Sequence, residues 1–285
     1  MPRLPVAVIA GALLVGLSGV ASAQDMPVKR PAAVVAAAWT GPYIGLNAGD
    51  ARNDRRIDNR ILSVFCDQAG IIGPVCSTHP NITDALVASV PPGFDTTPKG
   101  FIGGGQIGYG FQPTPQLVWG IEADFQDAHV RGSANTLTRS PFFFDVATVT
   151  GAASQKIDFF GTLRARLGWL PIEPLLLYAT GGLAYGHLET SVSFLRSVPC
   201  IGCDRFTSAS DDRWRAGWTV GGGLEWMVVP RWSIRAEYLY YDLGHVTLNQ
   251  TIAQDFGNPP FVSVTVASEA PYKGSIFRGA INYHM

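Results

Sequence analysis

Apolar and polar residues alternate with a period of two along several stretches of the chain. In residues 157–169 (IDFFGTLRARLGW), every second position is apolar or small, and the positions between them include Arg164 and Arg166. Residues 214–228 and 117–126 repeat this pattern, again with tryptophans on the apolar face. A period of two predicts β-strands with one apolar face. The alternation runs for about ten residues each time, longer than the five or six residues usual for a strand of a soluble domain.

Short turns and long links alternate between the predicted strands. Tight, proline-bearing turns are predicted at residues 112–116, 170–174 and 229–231. The other links are much longer, at roughly residues 51–99, 127–154, 189–212 and 246–270. With a first strand at 43–50 and a last strand at 272–284, the chain has eight strands. The pattern therefore predicts an all-β fold: an eight-stranded antiparallel transmembrane β-barrel with short periplasmic turns and four long extracellular loops.

A glycine-rich segment in one of these strands offers a different function. Residues 103–108 (GGGQIG) match the G-x-G-x-x-G spacing of a dinucleotide-binding turn, which holds phosphate only where a buried strand ends and a helix begins. Here the strand continues to Phe111 and enters the turn at 112–116. The glycines instead suit a small barrel, where strands bend sharply and the narrow interior has little room for side chains. We therefore expect no bound nucleotide, and no other cofactor.

Composition supports the membrane interpretation. Charged residues make up 15% of the chain, well below the roughly 25% typical of soluble proteins. After the N-terminal segment, no run of 18 apolar residues occurs. A chain that is unusually apolar but lacks membrane helices indicates a membrane barrel, because only helices and closed barrels satisfy their backbone polar groups in lipid.

The N-terminal segment has the form of an export signal. Residues 1–20 carry one positive charge, Arg3, followed by a run of apolar and small residues. Residues 21–23 (ASA) match a cleavage site and place signal cleavage after Ala23. We expect a signal peptide at 1–23, a flexible periplasmic lead-in at 24–38 and the outer-membrane β-barrel at 39–285. Loss of Arg3 changes the formal net charge from −1 to −2, and this near-neutral balance argues against a nucleic-acid partner.

Aromatic residues cluster where membrane interfaces are expected. Four tryptophans flank the short turns and fall on the apolar faces: Trp119, Trp169, Trp226 and Trp232. Three tyrosines fall near the opposite strand ends: Tyr185, Tyr238 and Tyr240. Two such groups predict an aromatic girdle at each membrane interface.

The segments that carry these patterns are similar to those of a known family. They are WTGPYIGLNAG (39–49), GFIGGGQIGYGFQ, VWGIEADFQ, DFFGTLRARLGW, LLLYATGGLAYG, GWTVGGGLEW and WSIRAEYLYYDLG. Together they resemble the alpha-proteobacterial outer-membrane immunogenic protein family, a relative of small OmpA-like barrels, over nearly all of residues 39–285 except the long loops. The resemblance implies an eight-stranded barrel that is a structural surface antigen of a Gram-negative cell envelope. Members are also described as small porins or haemin binders.

The C-terminus departs from the pattern of this family. The resemblance implies a terminal aromatic residue that the barrel-assembly machinery reads, whereas this chain ends in Tyr283, His284 and Met285. Tyr283 and Phe277 keep the alternation, so we expect assembly by that machinery with lower efficiency.

Acidic and basic residues share the polar faces of the predicted strands. The expected interior set is Glu122, Asp124, Arg164, Arg166, Arg215, Glu225, Arg235, Glu237 and Arg278. Because eight strands leave an interior just filled by side chains, we expect these charges to pair across it. This predicts a structural barrel that presents long loops and performs no catalysis. The alternatives are a small porin, in which the pairs rearrange to pass solutes, and binding of a haemin-like or host ligand by the loops.

A lipid-modifying enzyme at the barrel rim is the remaining class. His187, Glu189 and Ser191 lie near one strand end, and His245 near another. A nucleophile, its base and an orienting acid must lie within hydrogen-bonding distance of one another. Residues spaced two apart on one strand cannot all do so, and we therefore expect no catalytic and no metal site.

The predicted loops contain four cysteines and an arginine cluster. In an exported chain we expect disulfides, favouring Cys66–Cys76 and Cys200–Cys203, although four cysteines allow three connectivities. The arginines open the first long loop and are Arg52, Arg55, Arg56 and Arg60. They either bind lipopolysaccharide phosphates above the membrane or form a solvated loop base that Asp54 and Asp58 partly neutralise. The expected partners are outer-membrane lipid, lipopolysaccharide and the assembly machinery, with host or environmental ligands as a further class.

Overall fold

The described part of the chain is almost entirely β-strand. A computed structural model describes residues 39–53, 55–68, 71–73, 80–142, 145–197, 204–254 and 262–285. Within these residues the strands are β1 (Gly41–Arg52), β2 (Ile57–Gln68), β3 (Ile71–Gly73), β4 (Gly93–Phe94), β5 (Lys99–Thr114), β6 (Leu117–Phe142), β7 (Asp145–Ile172), β8 (Leu175–Ser197), β9 (Arg205–Val229), β10 (Trp232–Gln254) and β11 (Val262–His284). One helix, α1, spans Pro80–Ser89. The predicted signal peptide and lead-in lie outside the described residues.

The eight long strands close into an antiparallel ring. Neighbours along the chain pair from β5 to β11, and β1 pairs with both β5 and β11. In the closing pairs, Tyr43 lies opposite His284 and Gly108. The tight turns after β5, β7 and β9 fall within the predicted windows. The prediction of an antiparallel barrel is confirmed. Among the described residues, no helix is long and apolar enough to span a membrane.

The strands are much longer than the alternating stretches suggest. β6, β7 and β8 contain 26, 28 and 23 residues, and they occupy most of the segments predicted as loops at 127–154 and 189–212. β10 and β11 likewise continue through most of 246–270. The prediction of long loops is therefore wrong for these three links, which are extended β-hairpins with short connections.

The sequence suggested loops here because the inner and outer faces of each strand exchange polarity partway along it. On β6, Ile121 and Phe125 face outward and Glu122 faces inward, whereas farther along Val130 faces inward and Arg131 outward. We call the part with an apolar outer face the lower half: residues 117–126 of β6 and the residues paired with them around the ring. The rest of the ring is the upper half. Its inward apolar and outward polar residues resemble those of a soluble protein.

A bulge in β7 shifts the faces by one residue. The register with β8 changes between Ile157 and Phe159, so that Phe159 points outward while Ile157 is 2% exposed and points inward. One extra residue reverses the facing of every residue beyond it. The alternation of residues 157–169 places Ile157 on the same apolar face as Phe159, and this prediction is therefore wrong.

A second bulge lies in β10 between Asp242 and His245. Gly244 there has a φ of +81°, and its N–H donates a hydrogen bond to Asp242 Oδ1 at 2.8 Å. A Cβ on Gly244 would meet nothing within 4 Å, so only the backbone conformation requires glycine.

We expect Gly244→Ala to lower the free energy of unfolding by about 1–2 kcal/mol, because a left-handed conformation is costly for alanine. Gly244→Asn should cost less, since asparagine tolerates that conformation better. Urea unfolding of the refolded protein measures both. Gly279→Ala is the control, because its Cβ would meet nothing closer than 3.6 Å; an equal loss there would contradict the backbone explanation.

The described part of the first predicted loop is folded into the upper half. β2 pairs with β11, β4 pairs with β2, and α1 contacts β6, β7 and β11. Leu86 of α1 and Phe94 of β4 are buried with apolar residues from the surrounding strands. The Phe94 ring lies 5.9 Å from that of Phe194, between ring centroids, and Thr96 donates to Gln155 Oε1 at 2.5 Å. We call residues 80–98 the plug, because they fill the interior of the upper half.

Candidate functional site

A cluster of eight charged side chains fills the interior of the lower half. Five of the eight strands of the ring supply them: Glu122 and Asp124 on β6, Arg164 and Arg166 on β7, Glu225 on β9, Arg235 and Glu237 on β10, and Arg278 on β11. The strand register sets acid against base, since Glu122 lies opposite Arg164, Glu225 opposite Arg235, and Glu237 opposite Arg278. The alternation of facing along each strand points all eight side chains inward, and the strand pairing places them at similar heights along the barrel axis.

Arg164 links three carboxylates of this cluster. Its Nη1 lies 2.8 Å from Glu237 Oε1, and its Nη2 lies 3.2 Å from Asp124 Oδ2. Nη2 also donates to Glu122 Oε1. Its Nε donates to the Thr162 hydroxyl at 2.9 Å. Arg164 therefore connects β6 with β10 across the barrel.

The other three arginines complete the network. Arg235 donates to Glu122 Oε2 at 2.6 Å and to Glu225 Oε2 at 3.0 Å. Arg166 donates to Glu225 Oε2 at 2.8 Å. Arg278 donates to Asp124 Oδ2 at 2.8 Å and to Glu237 Oε2 at 2.7 Å. These distances are those of charge-assisted hydrogen bonds, the stronger kind in proteins.

The cluster is neutral and closed to solvent. Its four guanidinium groups balance its four carboxylates, and the side chains that form the ion pairs are 0–8% exposed. Buried charges are costly unless they are paired and hydrogen-bonded. The ion pairs therefore hold the interior side chains of the lower half in place and do not present a free charge to a ligand.

Two tyrosines that sequence reasoning missed cover one side of the cluster. Tyr43 on β1 donates to Glu122 Oε2 at 2.5 Å, and Tyr178 on β8 donates to Glu237 Oε1 at 2.9 Å. The Arg166 guanidinium carbon lies 4.0 Å from the Tyr178 ring centroid, a cation–π contact. A cavity of about 20 Å³ beside these three residues has room for about one water molecule.

The residues toward the turns are also polar and bonded. Asn282 donates to Glu225 Oε1 at 2.7 Å, and the Ser233 hydroxyl donates to the same oxygen at 2.5 Å. His284 Nε2 lies 3.1 Å from Ser233 Oγ. Asn282 and His284 occupy inward positions of the last strand, and Ser233 occupies the inward position just before Arg235. These positions in the alternation are the signal from which the sequence could have predicted them.

Arg215 is not part of the cluster, although the sequence grouped it there. It belongs to the inward positions of β9, but it lies ten residues from Glu225 along the strand, roughly 30 Å away at about 3.3 Å per residue. Its Nη2 lies 3.6 Å from Asp211 Oδ2 in the upper half. The sequence correctly predicted that Arg215 faces inward, but it did not predict the position of Arg215 along the barrel axis.

The outward aromatic residues form two groups. Trp119, Trp169, Trp226 and Trp232 lie near the turns and are 41–54% exposed. Tyr238 is also exposed, whereas Tyr185 and Tyr240 are half-buried. Near the upper half, a row that sequence reasoning missed contains stacked rings: Phe125 and Phe159 with centroids 5.7 Å apart, and Phe159 and Trp214 at 6.2 Å.

The residues of the alternative enzyme site do not form a relay. His187 Nε2 lies 3.0 Å from Asp212 Oδ1, Glu189 accepts from Lys156 at 2.8 Å, and Ser191 Oγ lies 2.9 Å from the Ser154 hydroxyl. Each therefore bonds to a neighbouring strand.

His245 lies elsewhere, with its Nδ1 3.9 Å from Glu269 Oε1. In the part of the chain that the structure describes, no three His, Cys, Asp or Glu side chains are grouped to hold a metal ion.

Of the four arginines of the first predicted loop, Arg52 ends β1, Arg60 lies on β2, and Arg55 and Arg56 lie between these strands. Arg52 Nε lies 2.8 Å from Asp50 Oδ2, and Arg56 Nε lies 2.9 Å from Asp58 Oδ1. Arg55 and Arg60 are exposed. The proposed disulfides lie outside the described residues, since Cys76, Cys200, Cys203 and the side chain of Cys66 are not described.

Comparison with known proteins gives matches over most of the chain. The model of the outer membrane protein beta-barrel domain family matches residues 10–267. The 31 kDa outer-membrane immunogenic protein of Brucella melitensis is 34% identical over 229 residues, which cover 79% of this chain and 81% of that protein. The 25 kDa outer-membrane immunogenic protein of the same organism is 26% identical over 270 residues, covering 90% of this chain and 96% of the relative.

Among solved structures, the Ail attachment invasion locus protein of Yersinia pestis matches with a TM-score of 0.28 and 17% identity. The match covers 84% of this chain and 99% of that one.

Proposed function

Because the chain belongs to the outer-membrane β-barrel family of immunogenic proteins, and its barrel therefore lies in the outer membrane, we propose that it acts there as a closed structural surface barrel. In this proposal it holds its upper half at the cell surface, passes no solutes and catalyses no reaction. Its partners are the lipids around it and the machinery that inserts it.

The interior of both halves is the observation that carries this proposal. The lower half is filled by the neutral charged cluster, whose side chains bond to one another across the barrel. The upper half is filled by apolar residues and the plug. A solute would have to break several buried ion pairs and displace an apolar core. Eight strands enclose only enough space for such side chains.

The polarity of the outer faces supports one orientation. The lower half presents apolar residues at every outward position from Leu117 to Phe125 of β6, as lipid requires. The upper half presents mostly polar residues, with a few exposed apolar ones such as Phe206, and ends in the hairpin connections. Bacterial barrels of this kind have short turns at the periplasm, so the upper half is expected outside the cell.

We expect an epitope inserted directly after Phe142, the last residue of β6, to bind antibody on intact cells. The same epitope inserted between residues 230 and 231, at a short turn, should bind only after the outer membrane is permeabilised. Both variants must run faster in SDS unheated than after boiling, which shows that the barrel has formed. Binding at the turn on intact cells would reverse the orientation.

We expect planar bilayers containing the refolded protein to carry no steady current. Boiled protein and protein-free bilayers are the controls for leakage. Discrete, reproducible conductance that changes in Arg235→Ala would contradict a closed barrel and make the porin alternative correct, because Arg235 bridges Glu122 and Glu225 across the interior.

The absence of catalysis is part of the same proposal. The relatives carry names that describe immunogenic outer-membrane proteins, and His187, Glu189 and Ser191 bond to three different residues rather than to one another.

The last strand supports recognition by the assembly machinery. β11 closes the ring against β1, and Phe277 and Ile281 point outward. The chain therefore keeps outward apolar residues on its final strand although it ends in Met285.

A further inference from the structure

The ring is not closed along the whole length of β9 and β10. These two strands pair from the short turn up to Trp218 and Asp242, where their pairing stops. Among the described strands, β9 then continues to Arg205 paired with β8 alone, and β10 continues to Gln254 paired with β11 alone. The bulge after Asp242 turns the upper part of β10 away from β9. The two strands therefore leave an open seam on one side of the upper half.

Solvent reaches inward-facing side chains through this seam. Arg215 and Arg213 occupy inward positions of β9 just beyond Trp218, yet their side chains are 32% and 62% exposed. The ion-paired side chains inside the closed lower half are 0–8% exposed. The seam is therefore an opening in the barrel, and the strands on its two sides are not in tight contact.

The upper part of β10 presents the edge of its sheet to the seam. Every second residue of an edge strand directs its N–H and C=O away from the sheet. In the part of the chain that the structure describes, no strand pairs with residues 246–253 on this side, and no turn or loop backbone bonds to them. We call these eight residues (VTLNQTIA) the open edge.

The open edge lacks the features that prevent other chains from pairing with an edge strand. Such features are prolines and charged side chains, including charged ones that point inward. The upper part of β9 has them, since Asp211 and Arg213 occupy inward positions. The open edge contains neither a charged residue nor a proline. A long, uncharged edge of this kind is a template for a strand of another chain.

We propose that the open edge binds an extended segment of another protein, which adds to the sheet as a further strand antiparallel to β10. Main-chain hydrogen bonds give such complexes their affinity, and alternate side chains give them their specificity. Val246, Leu248 and Ile252 are buried on the inner face, so the segment needs apolar residues at every second position. Thr247 and Asn249 are exposed on the outer face and accept polar residues between them.

The charges beside the seam favour one end of the segment. Arg213 and Arg215 share one carboxylate, that of Asp211, so one positive charge is in excess. Because β9 and β10 are in register up to the seam, these arginines lie about level with residues 245–247, near the lower end of the open edge. A strand antiparallel to β10 ends there. The segment is therefore expected to carry an acidic residue near its C-terminal end.

The test measures binding of a peptide with the sequence VSVTVASEA to the refolded full chain in neutral detergent micelles. This peptide copies residues 262–270, which pair with β10 on its other side, and it has the expected alternation and acidic residue. Two N-methylated forms block alternate N–H groups, one at the first, third and fifth residues and the other at the second, fourth and sixth.

One methylated form should bind at least about tenfold more weakly than the original peptide, because it loses three main-chain hydrogen bonds. The other should stay within about twofold, since a strand on an edge uses the N–H of every second residue. Equal loss in both forms, or no loss in either, would overturn the proposal.

A photoreactive residue at the centre of the peptide distinguishes the seam from other sites. In the seam the peptide lies between β10 and β9, so cross-links should form with residues 246–253 and 205–217. Cross-links to β2 would overturn the proposal, because β2 is the other neighbour of β11 and the peptide would then have replaced β11. Cross-links confined to other strands would overturn it as well.

Arg213→Gln tests the expected acidic contact. It should weaken binding of the peptide about two- to fivefold, and it should not change binding of a peptide whose glutamate is replaced by glutamine. Arg131→Gln is the matched control, because Arg131 is 61% exposed and lies on β6, away from the seam. An equal loss in the control would mean that net charge explains the effect, which would contradict the assigned position of the peptide.

Two further measurements separate this inference from folding and from the proposed function. Both variants must migrate faster in SDS before boiling than after it, which shows that the barrel has formed. The inference goes beyond the structural role and rests on the proposed orientation, which antibody binding to intact cells tests separately. Absence of peptide binding together with absence of current in planar bilayers would contradict this inference alone and leave the closed barrel intact.

Discussion

Arg164→Ala is expected to lower the free energy of unfolding by about 3–5 kcal/mol, the usual cost of removing one partner from a buried ion pair. The change leaves four buried carboxylates facing three guanidinium groups. Glu237 and Asp124 lose contacts at 2.8 and 3.2 Å, and neither side chain reaches solvent. Urea unfolding of the refolded protein in detergent measures the loss.

Two variants test the cause of this effect. Arg215→Ala removes an arginine of the same barrel that is 32% exposed and pairs with Asp211, so its cost should stay below about 1 kcal/mol. Arg164→Ala/Glu122→Gln restores a balance of charges, and it should be less destabilised than the sum of the single changes by about 0.5–3 kcal/mol. Strict additivity would mean that the interior charges are solvated, which favours a pore.

The second large effect is expected from the plug. Phe94→Ala should cost about 3–5 kcal/mol, as is typical when a large buried aromatic side chain is truncated. Phe94 is 1% exposed, and it packs so closely that a Cβ on Gly151 would lie 2.7 Å from its ring. The loss should appear as earlier unfolding and protease cleavage of the upper half, while the lower half keeps its heat-modifiable migration.

The control for this variant is Phe206→Ala on the outer wall, because Phe206 is 68% exposed and its truncation opens no cavity. Removing residues 53–98 is the stronger form of the same experiment. From the sequence, this segment is a loop whose deletion spares the barrel. The structure leads us to expect that its deletion exposes the apolar interior of the upper half and increases binding of a hydrophobic dye. An unchanged dye signal would mean that the hairpins of the upper half stay folded without the plug.

The lower half could be predicted because lipid imposes a strong pattern. Outward positions must be apolar for the height of the membrane, so Ile121, Leu163 and their neighbours alternate with polar residues clearly enough to be read. Each short turn carries at least one proline, which marks where the first strand of a hairpin ends and the second begins. The same alternation identified eight of the nine interior charges as one cluster.

The upper half could not be predicted because its alternation is weak and has the opposite sense. Many of its inward positions carry small residues, such as Ala128 and Ala153, and the outward ones carry serine and threonine. Such a pattern resembles a polar loop. The bulge near Asp158 and the packing of Phe94 depend on contacts between distant segments, which no local window contains. Tyr43 and Tyr178 were missed because their hydroxyls meet the cluster from strands that carry no charge there.

Strand length has a consequence for the immune response that this family is named for. At about 3.3 Å per residue and a tilt of about 45°, the 28 residues of β7 rise roughly 65 Å, of which lipid covers only about 25 Å. The surface that an antibody contacts is therefore the outer face of rigid, paired strands. We expect epitopes there to combine residues from neighbouring strands, such as Ser154 and Ser191, whose hydroxyls lie 2.9 Å apart. Peptides copied from one segment would imitate such epitopes poorly, so a vaccine antigen would have to keep the folded barrel.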